Sequence, residues 1–393
     1  MKEKKIYDLF IFAGEHSGDL HGEGLLRALY AKRAQLRICG VGGPKMRSVG
    51  MDVIVPMEKF QVMGFVDVFI AMPKLFYRFY QIAHAILEKK PSVAVFIDYP
   101  GFNLRMEKHL RKKGFTGKII HYICPSVWAW GKKRIPLIEK TVDALLCILP
   151  SEKRLFSPSF PVHYCGNPLV DRIRNMQYQD LHFPPQKKVV ALFPGSRKKE
   201  IERNFPLYAK LMKELLSQTE DFLFAISLSE KKFTSLLLSY LSKEGLSTGE
   251  NIVFVDRSQS YDLMHCCHMA IAKSGTVTLE LALHGAPTVV TYGVSSLDLF
   301  IALRILKIYL PYYSLPNILM GKEVFAELIG PNFTFDKLSC AVHALLYNDS
   351  TRSTCMQDCR QIKQILGDKE ASSEAASHIL SFLDMTSTDV MDF

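Results

Sequence analysis

Between Met269 and Pro287 the chain changes its periodicity once, and that change constrains the fold more than any other stretch. Apolar residues run from Met269 to Ala272 and meet Ser274-Gly275-Thr276, after which apolar positions return with helical spacing as far as Gly285-Ala286-Pro287. This pattern predicts a strand, a tight turn, a helix and its C-cap. A helix start carries unpaired N–H groups and the positive end of the macrodipole, so it suits phosphate oxygens, and the hydroxyls of Ser274 and Thr276 add donors. Glu280 follows Thr276 at helical spacing, on the same face. There its carboxylate could accept hydrogen bonds from the ribose of a nucleotide whose phosphates sit at the turn. The same residues also suit a capped helix with a merely solvated Glu280, and the stretch alone leaves both open.

The motif recurs. Ile6 to Ala13 is apolar and breaks at Gly14-Glu15-His16-Ser17-Gly18-Asp19 before a helical pattern resumes. Gly14, Glu15, Ser17, Gly18 and Asp19 are therefore candidates for a turn that approaches a ligand, although the spacing is neither a Walker loop nor GxGxxG, and such a turn can equally pack helix on sheet. Gly40-Val41-Gly42-Gly43-Pro44-Lys45-Met46 marks a second strand end. Val93 to Ile97 ends at Asp98, and in an open parallel sheet ligands gather outside the carboxyl ends of strands. Ile119 to Ile123, Asp143 to Leu149 and Val162 to Cys165 add strands. Arg174 to Lys188 is polar and without period, the composition of a linker. Val189 to Phe193 then restarts the alternation and runs into Pro194-Gly195-Ser196-Arg197, where the Arg197 guanidinium could pair with phosphate bidentately. Phe222 to Leu228, Ile252 to Val255 and Thr288 to Tyr292 continue it, and a loop from Leu315-Pro316-Asn317 ends near Glu323 and Glu327.

Two runs of alternating strands and helices predict an α/β protein of two doubly wound, Rossmann-like domains facing each other across a cleft. The first would span residues 1–173, completed by C-terminal helices at about 345–383, the second 189–344, with 174–188 between them. Apolar residues make up 48% of the chain, ample for two cores. The net charge of +10 is uneven: residues 1–173 hold 27 Lys and Arg against 15 Asp and Glu, a net of +12, and the remainder nets −2. That imbalance points the first half toward an anionic partner, whether nucleic acid, anionic lipid or an acidic membrane surface.

No charge-free apolar run approaches the roughly 20 residues that span a bilayer, and the first residues lead straight into a strand, so a cytoplasmic location is expected. From Val62 to Tyr80 an aromatic-rich stretch is interrupted by Asp67, Lys74 and Arg78. Leu75, Phe79, Ile82 and Ile86 keep a helical core face. Phe76, Tyr77 and Tyr80 lie off it, and with Val62, Phe65, Val66, Phe69 and the cations Lys112 and Lys113 they make either an interfacial surface for lipid or part of an internally packed helix pair. Trp128 and Trp130, beside Lys132, Lys133 and Arg134, suit sugar stacking, a lipid interface or a core. Nine cysteines show no CxxC pair and read as reduced thiols. His265-Cys266-Cys267-His268 does not read as a metal site, because adjacent side chains point different ways.

Taken together, Ala13 to Asp19, Gly42-Gly43-Pro44-Lys45-Met46, Pro125-Ser126-Val127-Trp128-Ala129-Trp130, Pro194-Gly195-Ser196-Arg197 with Glu200-Ile201, and Ser274-Gly275-Thr276 with Thr278-Leu279-Glu280 resemble the lipid-A-disaccharide synthase family, in the same order, over roughly residues 6 to 330. The resemblance implies a GT-B glycosyltransferase of family 19. Such an enzyme joins UDP-2,3-diacylglucosamine to 2,3-diacylglucosamine 1-phosphate, yielding a β-1,6-linked disaccharide phosphate and UDP, with no metal or cofactor. It implies a peripheral protein on the inner face of the inner membrane and leaves homo-oligomer formation open. The functional positions it carries over are Asp98, Arg197, Glu280 and Asn317. Asp98 would be the catalytic base, and Arg197, Ser196, Ser274, Gly275, Thr276, Glu280 and Asn317 would hold UDP. The chain departs from the family pattern at Gly101, Asn167, Ala326 and Ile329-Gly330-Pro331, positions that bear on secondary acceptor or uridine contacts. A UDP-sugar 2-epimerase, or another GT-B enzyme acting on a soluble UDP-sugar, would share the architecture and nucleotide cradle. A basic nucleic-acid module would share only the charge.

Overall fold

The computed structural model describes residues 7–60, 65–125, 127, 131–295 and 310–388, the side chains of 65–73, 132 and 386–388 lying outside that description. The chain divides into two compact units, Met1–Asp171 with Asp368–Phe393, and Arg172–Gly367.

The first unit holds a parallel sheet of β1 (Leu9–Ala13), β2 (Ile38–Gly42), β3 (Asp52–Pro56), β4 (Val93–Ile97), β5 (Lys118–Tyr122), β6 (Ala144–Cys147) and β7 (Val162–Tyr164), in the order β3-β2-β1-β4-β5-β6-β7. Parallel strands are covered on both faces, which is why they read as unbroken apolar runs. Every residue of β1 is buried. Its side chains alternate between two cores: Phe10 and Phe12 with Phe96 on one face, Leu9, Ile11 and Ala13 with Val95 and Ile97 on the other. The last helix, Ala371–Thr388, closes the second of these faces through Ala375, Ala376 and Ile379.

In the second unit β8 (Lys188–Phe193), β9 (Phe222–Leu228), β10 (Ile252–Asp256), β11 (Met269–Lys273), β12 (Thr288–Tyr292) and β13 (Ala326–Ile329) form a parallel sheet ordered β10-β9-β8-β11-β12-β13. In both sheets the strand order reverses once, beside β1 and β4 in the first and beside β8 and β11 in the second. At such a switch point the connections leave in opposite directions and open a crevice at the carboxyl ends of the strands. Asp98 follows β4, Pro194 to Arg197 follow β8, and Ser274 to Thr276 follow β11.

Two boundaries differ from those expected. Helix Asp349–Leu366 belongs to the second unit: it buries Cys355, Cys359, Ile362 and Leu366 and packs against helices Thr276–His284 and Phe335–Tyr347, so only Ala371–Thr388 returns to the first. Residues 174–188 are no free linker. The Gln179 amide donates to Asp262 Oδ1 at 2.8 Å, and Leu181 and Phe183 pack on the second core, because a polar stretch can still anchor through two apolar side chains. The loop expected after Leu315 instead forms helix Leu315–Met320 and strand β13.

Candidate functional site

The second unit contains a cavity of about 760 Å³, within the range that takes a small-molecule ligand. Four strand ends build it, those of β8, β9, β10 and β11. After β8 comes Pro194-Gly195-Ser196-Arg197, with Arg197 as the residue that starts helix Lys198–Gln218. Gly195 has φ +127°, and a Cβ there would lie 2.6 Å from that of Glu200, so the turn closes only around glycine. Glu200 fastens it: one carboxylate oxygen accepts the Ser196 amide at 2.9 Å, and the other lies 3.2 Å from Lys273 Nζ and 3.8 Å from Arg197. Asn204, wholly buried, ties the turn to the end of β12 by donating to Pro194 O and accepting the Gly293 amide.

After β11 comes Ser274-Gly275-Thr276. Helix Thr276–His284 begins there, and Gly275, Thr276 and Val277, the residues at its start, line the cavity. Glu280 lines it as well, sharing the face of Thr276 as its spacing predicts. Its Oε1 accepts the Tyr261 hydroxyl at 2.7 Å, and that hydroxyl in turn accepts from Arg172 at 3.4 Å. Burial pushes the Glu280 carboxyl above its ordinary value, while Tyr261, Arg172 and Arg257 pull it back down. Four cations, Arg172, Arg197, Arg257 and Lys273, thus face two carboxylates, Glu200 and Glu280, around the cavity. The Arg197 side chain is 84% exposed and held only loosely, leaving its guanidinium available to an incoming anion.

Ser196, Arg197, Gly275, Thr276 and Glu280 are therefore brought together. Ser274 and Asn317 are not among the lining residues. Ser274 spends its amide on Thr291 O. Asn317 is fully buried and saturated: Oδ1 accepts the amides of Val324 and Phe325, and Nδ2 donates to Phe325 O and to Glu327. Its work is to hold helix Leu315–Met320 onto β13. Lys273, Arg172, Arg257 and Tyr261 also line the cavity and are not among the residues expected there. Lys273 carries a signal, being the one charge in an otherwise apolar strand and standing directly before the turn. Arg257 and Tyr261 follow the end of β10, where the strand-end rule also points.

In the first unit Asp98 and Tyr99 have φ of +48° and +49°, left-handed backbone that is uncommon outside glycine. Burial pushes the Asp98 carboxyl above its ordinary value, opposed by the Tyr99 amide and by the charge of His121. Glu15, which precedes helix His16–Lys32, is also pushed up, first by burial and then by Asp98, so two carboxyls stand at the neighbouring ends of β1 and β4. Ser17 is exposed, and Gly14 and Gly18 are buried. A Cβ on Gly18 would lie 3.3 Å from that of Ala13, the close approach of helix to strand. Asp19 does not face a ligand. It is buried and accepts the amides of Gly43, Lys45 and Met46, capping the short helix Pro44–Ser48, because a carboxylate under glycine-rich backbone satisfies helix-start donors. Asn167 is buried too, bonding Ile148 O and the Leu169 amide, while Gly101 is exposed.

Helix Phe65–Lys89 is continuous. Ile82 and Ile86 are buried, Leu75 and Phe79 pack on the core, and Phe76, Tyr77 and Tyr80 are 55, 65 and 56% exposed. Tyr80 meets His109 edge to face, which places this surface beside helix Pro100–Lys112 and the exposed Lys112 and Lys113. Val62, Trp128 and Trp130 and the side chains of Phe65, Val66 and Phe69 lie outside the described residues. His265 stacks on Tyr178, and the thiols of Cys266 and Cys267 donate to the carbonyls of Leu263 and Met264. Among the described residues no helix is long and apolar enough to cross a membrane.

Two doubly wound parallel sheets, each with its switch point at a candidate site, define a two-domain α/β protein of the GT-B class. Solved structures agree on this fold. The UDP-GlcNAc 2-epimerase of Neisseria meningitidis, bound to UDP-GlcNAc, aligns with a TM-score of 0.62 at 11% identity over 96% of this chain and 99% of its own. A calicheamicin glycosyltransferase aligns at 0.59 and 12% identity, over 97% and 99%. Sequence narrows the class to one family. The lipid-A-disaccharide synthetase family model matches residues 9–380, and the chain belongs to that family. The lipid-A-disaccharide synthase of Chlamydia trachomatis is 38% identical over 372 residues, 92% of this chain and 60% of the relative. That of Geobacter sulfurreducens is 31% identical over 389 residues, 98% and 99% of the two chains. The chain thus spans about 60% of the length of its Chlamydia relatives and nearly all of the Geobacter protein.

Proposed function

We propose that this chain is an inverting glycosyltransferase that moves a 2,3-diacylglucosaminyl group from UDP to the hydroxyl of 2,3-diacylglucosamine 1-phosphate, forming a β-1,6-linked disaccharide phosphate and UDP. The observation that carries this beyond family membership is the second-unit cavity, where four cations and a helix start gather with the carboxylates of Glu200 and Glu280 at a sheet switch point. Departure of UDP accumulates negative charge, and donors fixed in advance stabilise it without reorganising. Arg197, Lys273 and the amides of Gly275 to Val277 take the diphosphate. Glu280, oriented by Tyr261, takes the ribose hydroxyls. The attacking hydroxyl must lose a proton as it bonds to the anomeric carbon, and Asp98 is the base that receives it. Direct displacement by the acceptor inverts the anomeric centre and needs no covalent intermediate on the protein.

Both substrates carry acyl chains, so the reaction belongs at a bilayer surface. Phe76, Tyr77 and Tyr80 dip into it while Lys112 and Lys113 meet anionic headgroups, on the cytoplasmic face of the inner membrane. Ser17 and Glu15, after β1 and next to the end of β4 that holds Asp98, are acceptor-side contacts. Mass spectrometry of the product formed from the two acylated sugars tests the proposal: a tetraacyl disaccharide phosphate with stoichiometric UDP is expected. Turnover confined to a soluble UDP-sugar, with C2 inverted and no new glycosidic bond, would replace it with the epimerase activity that the shared fold also supports.

A further inference from the structure

The first unit contains a pair of ionisable side chains with no task in the mechanism above. Glu107, on helix Pro100–Lys112, and His121, on β5, are both 0% exposed, with Nδ1 of the ring 2.6 Å from Oε1. Enclosing such a pair costs more than packing two apolar side chains in its place, and the cost is worse when polar atoms remain unmatched. Here both partners leave one: His121 Nε2 and Glu107 Oε2 have no hydrogen-bond partner among the described residues. A half-satisfied buried pair calls for an explanation other than stability.

Its position supplies one. Phe96 of β4 is paired with His121 of β5, so the imidazole leaves the sheet on the face of Phe96, two residues before Asp98. The Asp98 amide donates to Tyr122 O at 2.9 Å, fastening the end of β4 to the residue after His121. Asn103, one turn before Glu107 on the same helix, donates its side-chain amide to the carbonyls of Ile97 and Asp98. Strand end, helix and neighbouring strand thus close a ring around the candidate base. The backbone of that ring is strained at three non-glycine positions, Asp98, Tyr99 and Ile123, the last a β-branched residue at φ +72°. Such strain gathers at working sites.

We propose that His121, held by Glu107, is a positioning residue for Asp98: the buried pair fixes β5 and helix Pro100–Lys112 around the end of β4 and keeps the Asp98 carboxylate ready to accept the proton of the attacking hydroxyl. The inference rests on Asp98 being the base. Glu15, at the start of the helix after β1, faces Asp98 as a like charge. The Tyr99 amide and the His121 ring act on Asp98 in the opposite sense to burial.

The test is the pH dependence of kcat/KM for the full chain and its His121→Gln and Glu107→Gln variants, with UDP affinity measured alongside. Losing the imidazole or its partner should move the acid limb upward by about one pH unit, a roughly tenfold loss of kcat/KM below it, with UDP affinity unchanged. A limb that stays in place in folded variants overturns the inference. A second measurement serves if neither buried variant folds. In the full chain with ¹⁵N-labelled histidine, Asp98→Asn should move the His121 ring-nitrogen resonances, and unmoved resonances overturn the inference. Asp98→Asn with near-normal turnover would instead overturn the base assignment. Loss of turnover in Asp98→Asn, with limb and resonances unmoved, would leave the base standing and remove only the role given to His121.

Discussion

Asp98 is the residue on which turnover should depend most. Loss of a general base typically lowers rate by about 10² to 10⁴, so Asp98→Asn should reduce kcat at least about a hundredfold while calorimetry finds UDP binding intact. Because burial raises the Asp98 carboxyl above its ordinary 3.8, the group stays protonated to a higher pH than a solvated aspartate. Activity should therefore fall on acidification with a midpoint above 3.8. At the other site, Lys273→Ala and Arg197→Ala should each weaken UDP binding by roughly tenfold to a hundredfold, the scale of one charge-assisted hydrogen bond, read by the same titration. Arg197, Thr276 and Glu280 were legible in the sequence because a broken apolar run and a helical spacing locate a strand end and a helix face. Asp19 and Asn317 were not. What they do is decided by backbone amides brought to them by the fold, Gly43, Lys45 and Met46 for one and Val324 and Phe325 for the other, and no local pattern announces those partners.

At the scale of elements, strands enclosed on both faces were legible, and of the four edge strands β7 and β10 were read while β3 and β13 were not. β4, β9 and β12 begin and end where their apolar runs do. β3 exposes Asp52 and ends on Pro56, and only Leu328 of the four residues of β13 is buried, so neither produces the run that marks an interior strand. Helix Asp349–Leu366 was legible as a helix, but its apolar stripe does not say which sheet it covers. Elements also explain two stabilities. The Asp19 carboxylate joins helix His16–Lys32 to the turn after β2, and Asp19→Ala would strand two buried amides, of Gly43 and Met46, and the part-buried amide of Lys45. A loss of roughly 3 kcal/mol in denaturant unfolding is expected, without effect on UDP binding. Glu152, in the turn Pro150–Leu155 after β6, is buried and accepts the Leu149 amide, and burial pushes its carboxyl up to about 8. A carboxyl raised on folding binds its proton more tightly in the native state. Its contribution is complete below the ordinary 4.5 and is lost as pH rises through about 8. The wild-type chain should lose on the order of 2 to 4 kcal/mol from this group between pH 5 and 8, and Glu152→Gln should flatten that slope in urea titrations.

For the whole molecule, the charge asymmetry and the exposed aromatic helix make one physical demand. Residues 1–173 carry a net +12 against −2 for the rest, and Phe76, Tyr77 and Tyr80 stand exposed beside a helix that ends in cations. Burial and then the charges of Lys113 and Lys112 hold His109 below its ordinary value, so the positive field extends to the ring against which Tyr80 packs. An apolar patch alone would bind neutral and anionic vesicles alike, and a charge patch alone would release completely in salt. The two together predict separable losses. Each cation near an anionic leaflet contributes about 1 kcal/mol, so Lys112→Glu with Lys113→Glu should weaken partitioning onto anionic vesicles by at least about tenfold at 0.1 M salt. The deficit should shrink toward 1 M, where the Debye length falls to about 3 Å. Replacing Phe76, Tyr77 and Tyr80 with serine removes buried apolar area instead, so its effect should persist at high salt and on neutral vesicles. Sedimentation with vesicles of both compositions distinguishes the two. If both variants partition as the wild type does, the surface is not a membrane contact, and the acylated substrates must reach the protein by another face.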